Sequence, residues 1–580
     1  MMARKCLLVS FLILTTVVNA FGQAFTAQPA GFLDVARSSL AWGDYDNDGD
    51  LDLLIAGDPV AGPYAMKIYR NDGGSFTDIN VNFTGIYNSA VAWGDFDNDG
   101  DLDILATGRS AANSNTWLYC NKSGEFVSVN AAFPQIGSDG AIAWGDYDGD
   151  GDLDALVAGN FSCKLFNNDG GTFTDVGGSL PPVSNCWVDW GDFDNDGDLD
   201  MFIMGDMGGI LTSSIYRNDK DFFTEVQCGF TPLVGGSASW CDADNDHDLD
   251  LIVCGFDEYL EPNTLIYQNL GDLQFLCMIP GMTNASLGTV AWGDYDNDGD
   301  ADVLVTGQNP ACGSLSSLVY RNDGGYMFTN IYAGLAGAER GNAAWGDYDN
   351  DGDLDIAITG NSGSGSPLSI LYRNNLGTNA FQVNNAPSVP DGLSSAVSGH
   401  QVLLQWNHAT DNTTPDAAIS YNLRIGTTTG GSEMLPSMAD AASGYRLISQ
   451  PGNMSNDTSW QVNLPDGNYY WSVQALDHSF TGSQFADDQQ FTVLNVGLES
   501  AAGTEIKVFP NPVAAKLFVK TTANAKILVL NEKGILIDTK SASGEVAEFH
   551  TTNWPSGLYL LKIDTGGKTQ TLKIVKQSQP

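Results

Sequence analysis

Basic side chains are scarce in this chain. It holds 25 Lys and Arg against 71 Asp and Glu, a formal net charge of −46 over 580 residues. Phosphate contacts need clustered Lys and Arg, so this balance argues against nucleic acid and against anionic lipid as partners. Histidine is scarcer still: His247, His400, His408, His478 and His550, none beside a recognisable nucleophile motif. No phosphate-cradling Gly-rich loop, no HExxH and no CxxC is present, which excludes the common nucleotide, zinc-protease and zinc-ribbon readings. Helical periodicity is missing, and so are long apolar runs beyond the N-terminus.

That N-terminus reads as a signal peptide over residues 1–22. Arg4 and Lys5 form a basic start, Cys6 to Val18 an apolar stretch too short to span a bilayer, and Val18-Asn19-Ala20 a small-residue cleavage site, with cleavage near Gln23 an alternative. Export is therefore expected, and no transmembrane segment. Eight cysteines remain after cleavage: Cys120, Cys163, Cys186, Cys228, Cys241, Cys254, Cys277 and Cys312. An even number in an exported chain permits disulfides, and small buried thiols are the equal alternative.

What the chain has in excess is aspartate, in one pattern. Residues 42–52 read WGDYDNDGDLD, and variants of this stretch begin again at Trp93, Trp144, Trp190, Trp240, Trp292 and Trp345, at spacings of 51, 51, 46, 50, 52 and 53 residues. The seven stretches carry five Asp each, 35 of the 71 acids. Each unit has a short apolar strand into the Asp loop, a second apolar strand ending in Gly (Leu53 to Gly57 in the first), a variable loop, and a hairpin such as Ile68 to Thr77 around Asn-Asp-Gly-Gly. Four short strands per unit, without capping repeats, suit a β-propeller of seven blades over residues 24–384. Phe25-Thr26 matches the strand that follows the hairpin in later units, and the last hairpin runs on to Phe381, so the two ends are expected to complete one shared blade.

In each loop Asp occupies positions 1, 3, 5, 7 and 9. Calcium takes six to eight oxygen ligands, and alternate carboxylates on a tight loop converge on one ion, with Gly at position 6 supplying the turn. Seven equivalent copies contradict a single acid–base active site. These units resemble FG-GAP/VCBS repeats, the kind that build the propeller of integrin α-chains, and the resemblance covers about 360 residues. It implies that positions 1, 3, 5 and 9 offer side chains to calcium and position 7 its backbone carbonyl. The side-chain ligands would be Asp44, Asp46, Asp48 and Asp52; Asp95, Asp97, Asp99 and Asp103; Asp146, Asp148, Asp150 and Asp154; Asp192, Asp194, Asp196 and Asp200; Asp242, Asp244, Asp246 and Asp250; Asp294, Asp296, Asp298 and Asp302; and Asp347, Asp349, Asp351 and Asp355. The carbonyl donors would be Asp50, Asp101, Asp152, Asp198, Asp248, Asp300 and Asp353. The cofactor expected is Ca2+, one ion per blade, six or seven in all. His247 stands at position 6 of the fifth loop, where its Cβ burdens a left-handed turn, so that site is expected to be the weaker. The Trp before each loop reads as packing between neighbouring blades rather than as a sugar platform.

Beyond a linker at Asn384 to Pro390, strands at Val402 to Trp406 and Tyr421 to Ile425, followed by Leu464 to Ala475, resemble a fibronectin type III domain over 387–494, with Tyr469 as its tyrosine corner and Trp406 as its core Trp. A spacer role is the expectation there. Val508-Phe509-Pro510-Asn511-Pro512, Gly534, the Pro555 to Ile563 strand and the Lys-bearing end at Thr571 to Lys576 resemble the C-terminal sorting domain of type IX secretion cargo, over 503–578; a third small sandwich is the alternative. The fold class expected is all-β: seven-bladed propeller with calcium loops, Ig-like fibronectin type III sandwich, and small sorting sandwich. The function expected is not enzymatic. It is a secreted or outer-membrane-attached surface protein of a Gram-negative bacterium, an adhesin or lectin-like binder of an extracellular glycan or protein, handled by the type IX machinery and monomeric. The alternatives are a lyase-like polysaccharide-degrading enzyme and a structural surface component. Ligand contacts are expected from the loops that vary: 58–65, 109–115, 206–213, 256–262, 308–316 and 361–369.

Overall fold

The computed structural model describes residues 24–493 and 507–576, apart from 138, 221, 272, 280, 310–313, 377–381, 510–512, 514, 521–523, 532, 534, 544–545 and 565–568. The signal peptide expected at 1–22, Cys312, Phe381, Pro510, Asn511, Pro512 and Gly534 lie outside them. Every regular element among the described residues is a β-strand, and none is a helix long and apolar enough to cross a membrane. The chain divides after Val493 into two units.

In the first unit each repeat forms one antiparallel sheet, strands in sequence order. The first runs Ala36–Gly43, Asp52–Asp58, Ala65–Asn71, Phe76–Asp78. The second strand is an unbroken apolar run because it is buried on both faces, whereas the fourth lies partly in solvent. The Asn-Asp-Gly-Gly hairpin turns where Gly73 and Gly74 take φ of 64° and 81°. The seventh sheet takes its outer strand from the N-terminus: Phe25–Gln28 pairs with Pro367–Asn374, Phe25 opposite Asn374.

Successive sheets touch through their inner strands, and the inner strand of the first also lies against that of the seventh. Two residue types make these contacts. In every repeat but the fifth the residue after the Trp is a Gly that lies beneath the Trp of the next sheet: a Cβ on Gly94 would stand 2.6 Å from Trp144 Cδ1, and one on Gly346 would stand 2.8 Å from Trp42 Cδ1. The Trp therefore packs between sheets, Trp42 being 3% exposed and Trp93 4%. The hairpin Asn reaches back one repeat. Asn121 Nδ2 donates to the Tyr45 carbonyl at 2.9 Å, Asn168 to Phe96 at 2.7 Å, and Asn71 to Tyr348 at 2.7 Å, which joins the first repeat to the seventh. The result is a propeller-like array of seven sheets.

Residues 385–493 form two three-stranded sheets around Trp406, Tyr421, Trp460 and Trp471. Tyr469 Oη donates to the Pro465 carbonyl at 2.9 Å, four residues upstream. This region is not held away from the repeats as a spacer would be. It lies on the end of the array that carries the Asp loops, because its loops offer backbone and side-chain partners there. Asp95 N donates to Leu447 O at 2.8 Å, Trp460 Nε1 to Asn195 Oδ1 at 3.1 Å, Asn456 Nδ2 to Asp294 Oδ2 at 3.5 Å, and Ser479 Oγ to Asn350 Oδ1 at 2.6 Å. The seven described cysteines are unpaired thiols, so the structure takes the small-buried-residue reading for most of them.

The second unit packs a three-stranded and a four-stranded sheet around Leu517, Ile527, Phe549, Trp554, Tyr559 and Leu561.

Candidate metal-binding loops

All seven Asp loops share one hydrogen-bond plan. Position 1 closes the turn: Asp44 Oδ1 accepts from Asp48 N at 3.0 Å and Oδ2 from Gly49 N at 2.9 Å. Position 5 accepts from position 7, as Asp48 Oδ1 does from Asp50 N at 3.0 Å. Position 9 ties the loop to the hairpin: Asp52, fully buried, accepts from Tyr45 N at 3.1 Å and from Asn71 N at 2.8 Å. Gly at position 6 holds φ near 90°, for example 90° at Gly49, Gly100 and Gly352.

Position 3 is different. One buried oxygen of Asp97, Asp194, Asp244, Asp296 and Asp349 has no hydrogen-bond partner. A buried carboxylate oxygen left unmatched is costly, and a cation satisfies it. Ligand atoms of Asp95, Asp97 and Asp103 lie within 4.8 Å of one another, as do those of Asp146, Asp148 and Asp154 and of Asp44, Asp46 and Asp48. Positions 1, 3 and 9 thus converge in the second and third loops and positions 1, 3 and 5 in the first, and these all-oxygen sets fit calcium rather than a softer metal. The electrostatics point the same way. Burial, with neighbouring carboxylates adding to it, pushes Asp44 up to about 7, Asp52, Asp154 and Asp302 to about 9, and Asp103 to about 8. Asp192, Asp200, Asp347 and Asp355 are raised well above the usual range for the same reason.

Position 7 points elsewhere. The carboxylates of Asp50, Asp101, Asp152, Asp248, Asp300 and Asp353 accept from the position-4 Asn of the neighbouring loop: Asn350, Asn47, Asn98, Asn195, Asn245 and Asn297, at 2.6–3.3 Å. These Asn hold positive φ, 59° at Asn47 and 53° at Asn350, which aims the amide across to the next loop. The third loop has Gly149 at position 4, so Asp198 lacks this bond and meets Lys220 Nζ at 3.2 Å instead. Neither the position-4 Asn nor the hairpin Asn stands out in sequence as more than a turn residue. Their recurrence at fixed places in the repeat is the signal that could have found them.

The fifth loop departs further. His247 takes φ of 75° and is held by Ser459 Oγ, 3.1 Å from its Nε2. Gln268 Nε2 donates to Asp244 Oδ2 at 2.8 Å, and Tyr326 Oη to Asp250 Oδ2 at 2.6 Å, so protein donors occupy part of that donor set. In the seventh loop Arg373 pairs with Asp349 at 2.8 Å and Asp351 at 2.6 Å.

The variable loops sit at the opposite end of the sheets, because antiparallel neighbours turn at alternate ends. Large apolar side chains stand exposed on their tips: Val60, Phe161, Ile210, Leu260, and Tyr259 at 76%.

Two families match the sequence. One, described as FG-GAP-like repeat, matches residues 44–106, 95–157, 242–305 and 294–358; the other, described as secretion system C-terminal sorting domain, matches 507–577. The chain therefore carries FG-GAP-like repeats and a type IX C-terminal sorting domain, which marks a secreted or cell-surface protein. No curated protein matches the chain. Among solved structures it is similar to an Agrocybe aegerita lectin that recognises non-reducing terminal N-acetylglucosamine (17% identity, 52% of this chain and 80% of that one, TM-score 0.36). It is also similar to PorZ, a surface component of the type IX secretion system of Porphyromonas gingivalis (11%, 93% and 81%, TM-score 0.23), and to the rhamnogalacturonan lyase YesW (10%, 81% and 91%, TM-score 0.28).

Proposed function

We propose that this chain is a calcium-dependent binding protein displayed outside the cell: a closed seven-bladed propeller over 24–384, capped by a fibronectin type III domain over 387–494 and exported through its sorting domain over 503–578. A signal peptide over 1–22 starts the route, and the product is a monomer attached to the outer membrane. The role is non-enzymatic, an adhesin or lectin-like grip on an extracellular glycan or protein. The observation that carries the calcium reading is the unpartnered buried oxygen at position 3 in five loops. Carboxylates at positions 1, 3, 5 and 9 and the carbonyl at position 7 would hold each ion, the fifth most weakly. The cation offsets the mutual repulsion of the Asp side chains and fixes the loop between two strands. The binding face is the variable-loop end, with Val60, Ile210, Tyr259 and Leu260 exposed, since residues 385–493 cover the Asp-loop end.

Thermal melts of the full chain in EGTA, calcium and magnesium test the metal. Sites of about 10⁻⁴–10⁻³ M affinity in 10 mM calcium each add roughly 1.4–2.7 kcal/mol, so calcium should raise Tm well beyond magnesium. Identical melts in EGTA and calcium would sink the assignment. A glycan array run in calcium then tests the ligand, and a blank array on folded protein moves the reading to a protein partner.

A further inference from the structure

A cavity of about 500 Å³ lies between the inner strands of repeats three to seven and the loops of residues 385–493 that cover them. Its wall is irregular in one place. At the position before the repeat Trp, six inner strands carry Ala41, Ala92, Ala143, Ser239, Ala291 and Ala344. The fourth carries Asp189. Two residues earlier the other repeats have Ser, Ala, Thr or Asn, and the fourth has Trp187. Residues i and i+2 of a strand share a face, so at these two inner-strand positions the fourth repeat alone places an indole beside a carboxylate, and both line the cavity.

Among the described residues no cationic side chain pairs with that carboxylate. Asp189 Oδ1 accepts from the backbone N–H of Trp190 at 3.0 Å, and among the described residues no Lys, Arg or His lies within ion-pair distance. Arg446 lines the same cavity and is turned to its own region, Nη1 donating to Ser437 O at 2.7 Å and Nη2 to Gln450 O at 3.3 Å; its Nε is buried without a partner, and it makes no ion pair with Asp189. His478, also in the wall, is held neutral because burial lowers it to about 4. Burial drives Asp189 itself up to about 7, the mark of a charge without compensation. Indoles stand in its wall: Trp144, Trp187, Trp190 and Trp240 line the cavity, and the indole N–H of each is buried without a partner.

We propose that this cavity binds a small organic cation, with Asp189 as its counter-charge and Trp187 among the indoles that face it. Asp192, Asp242, Asp294 and Asp477 also line the cavity, but each is bonded elsewhere, to Gly197 N, His247 N, Gly299 N and Asn384 Nδ2, so Asp189 alone is too few ligands for an inorganic divalent ion, which takes six or more oxygens. Indole faces beside a carboxylate instead suit an ammonium group, attracted by both the ring quadrupole and the charge, and a desolvated site strengthens both. The site lies apart from the variable-loop face, so it is a second binding function and does not depend on the ligand bound there.

Tryptophan emission of the full chain in calcium, titrated with choline and with its neutral isostere 3,3-dimethylbutan-1-ol, tests the proposal. Choline should give a saturable change, and the isostere should bind about tenfold more weakly or worse, the loss of one desolvated charge contact. Asp189→Asn should weaken choline by a similar factor and leave Tm unchanged or raised, because it removes a charge that has no cationic partner. Equal titration by the two probes, no response to either, or an Asp189→Asn chain that binds choline as wild type does overturns it. Should Asp189→Asn not fold, the two probes on the wild-type chain still decide.

Discussion

Aspartates of one sequence pattern do three jobs in this chain, and burial separates them. Position 9 is a structural strut: Asp103 is fully buried and accepts from Phe96 N at 3.1 Å and Asn121 N at 2.6 Å. Position 3 is left short of a partner, and position 7 bonds the neighbouring loop. The raised carboxyls set the pH behaviour of the metal-free chain. Asp52, Asp154 and Asp302 sit near 9 and Asp103 near 8 when folded, against about 3.9 unfolded. Between those limits the folded chain holds more protons than the unfolded one, so stability falls as pH rises. In EGTA, the urea midpoint should therefore drop from pH 5 to pH 8, and calcium should abolish the drop; a midpoint that climbs with pH in EGTA refutes this. The two Asn types separate in the same way. Asn121 is fully buried and bonds Leu102 O at 3.1 Å and Tyr45 O at 2.9 Å. Asn121→Ala should cost about 1–3 kcal/mol for each carbonyl it orphans. Asn98→Ala, whose partner Asp152 lies where water can replace it, should cost about 1 kcal/mol or less in the same urea titration.

At the scale of the strand and the sheet, one contact repeats. Gly94 ends an inner strand and Trp144 lies on it, so any Cβ there meets the indole at 2.6 Å. The glycine is required by packing rather than by a left-handed backbone. Gly94→Ala should destabilise by about 1–3 kcal/mol through overpacking, read as a lower urea midpoint with unchanged slope. The fifth repeat carries Cys241 at this place, where its buried thiol lies 3.6 Å from Ser455 Oγ. The sheets themselves are legible in the sequence, because period-2 strands, Gly-rich turns and a fixed repeat length are local properties. The outer strand of the last sheet is legible too, from the likeness of Phe25-Thr26 to the strands after later hairpins, and it pairs with Pro367–Asn374. The disulfide question is not legible there, since it depends on which thiols meet, and the described ones remain unpaired.

For the whole molecule the decisive feature is the cover on the Asp-loop end. Residues 385–493 reach along the repeats through contacts such as Asp146 N to Met438 Sδ at 3.3 Å and Asp347 N to His478 O at 3.4 Å. A chain ending at Val493 should melt like the full chain in calcium. One ending at Asn384 should melt at least about 5 °C lower, because the loops lose their partners and water reaches the Asp cluster. Equal melting of the two truncations would show that the cover adds nothing to the repeats. Removing the cover would also open the cavity that Asp189 lines.

The sequence by itself determined the repeat, the strand order, the converging carboxylates and the sorting tail, because each rests on residues near one another in the chain. It left the second β region as a spacer, the position-7 carboxylates without a separate role, and Asp189 unmarked among 71 acids. Those were decided only in the tertiary structure. Where a side chain finds its partner, or fails to, depends on which strands and loops distant in sequence enclose it, and Asn350 reaches Asp50 across 300 residues to make the point.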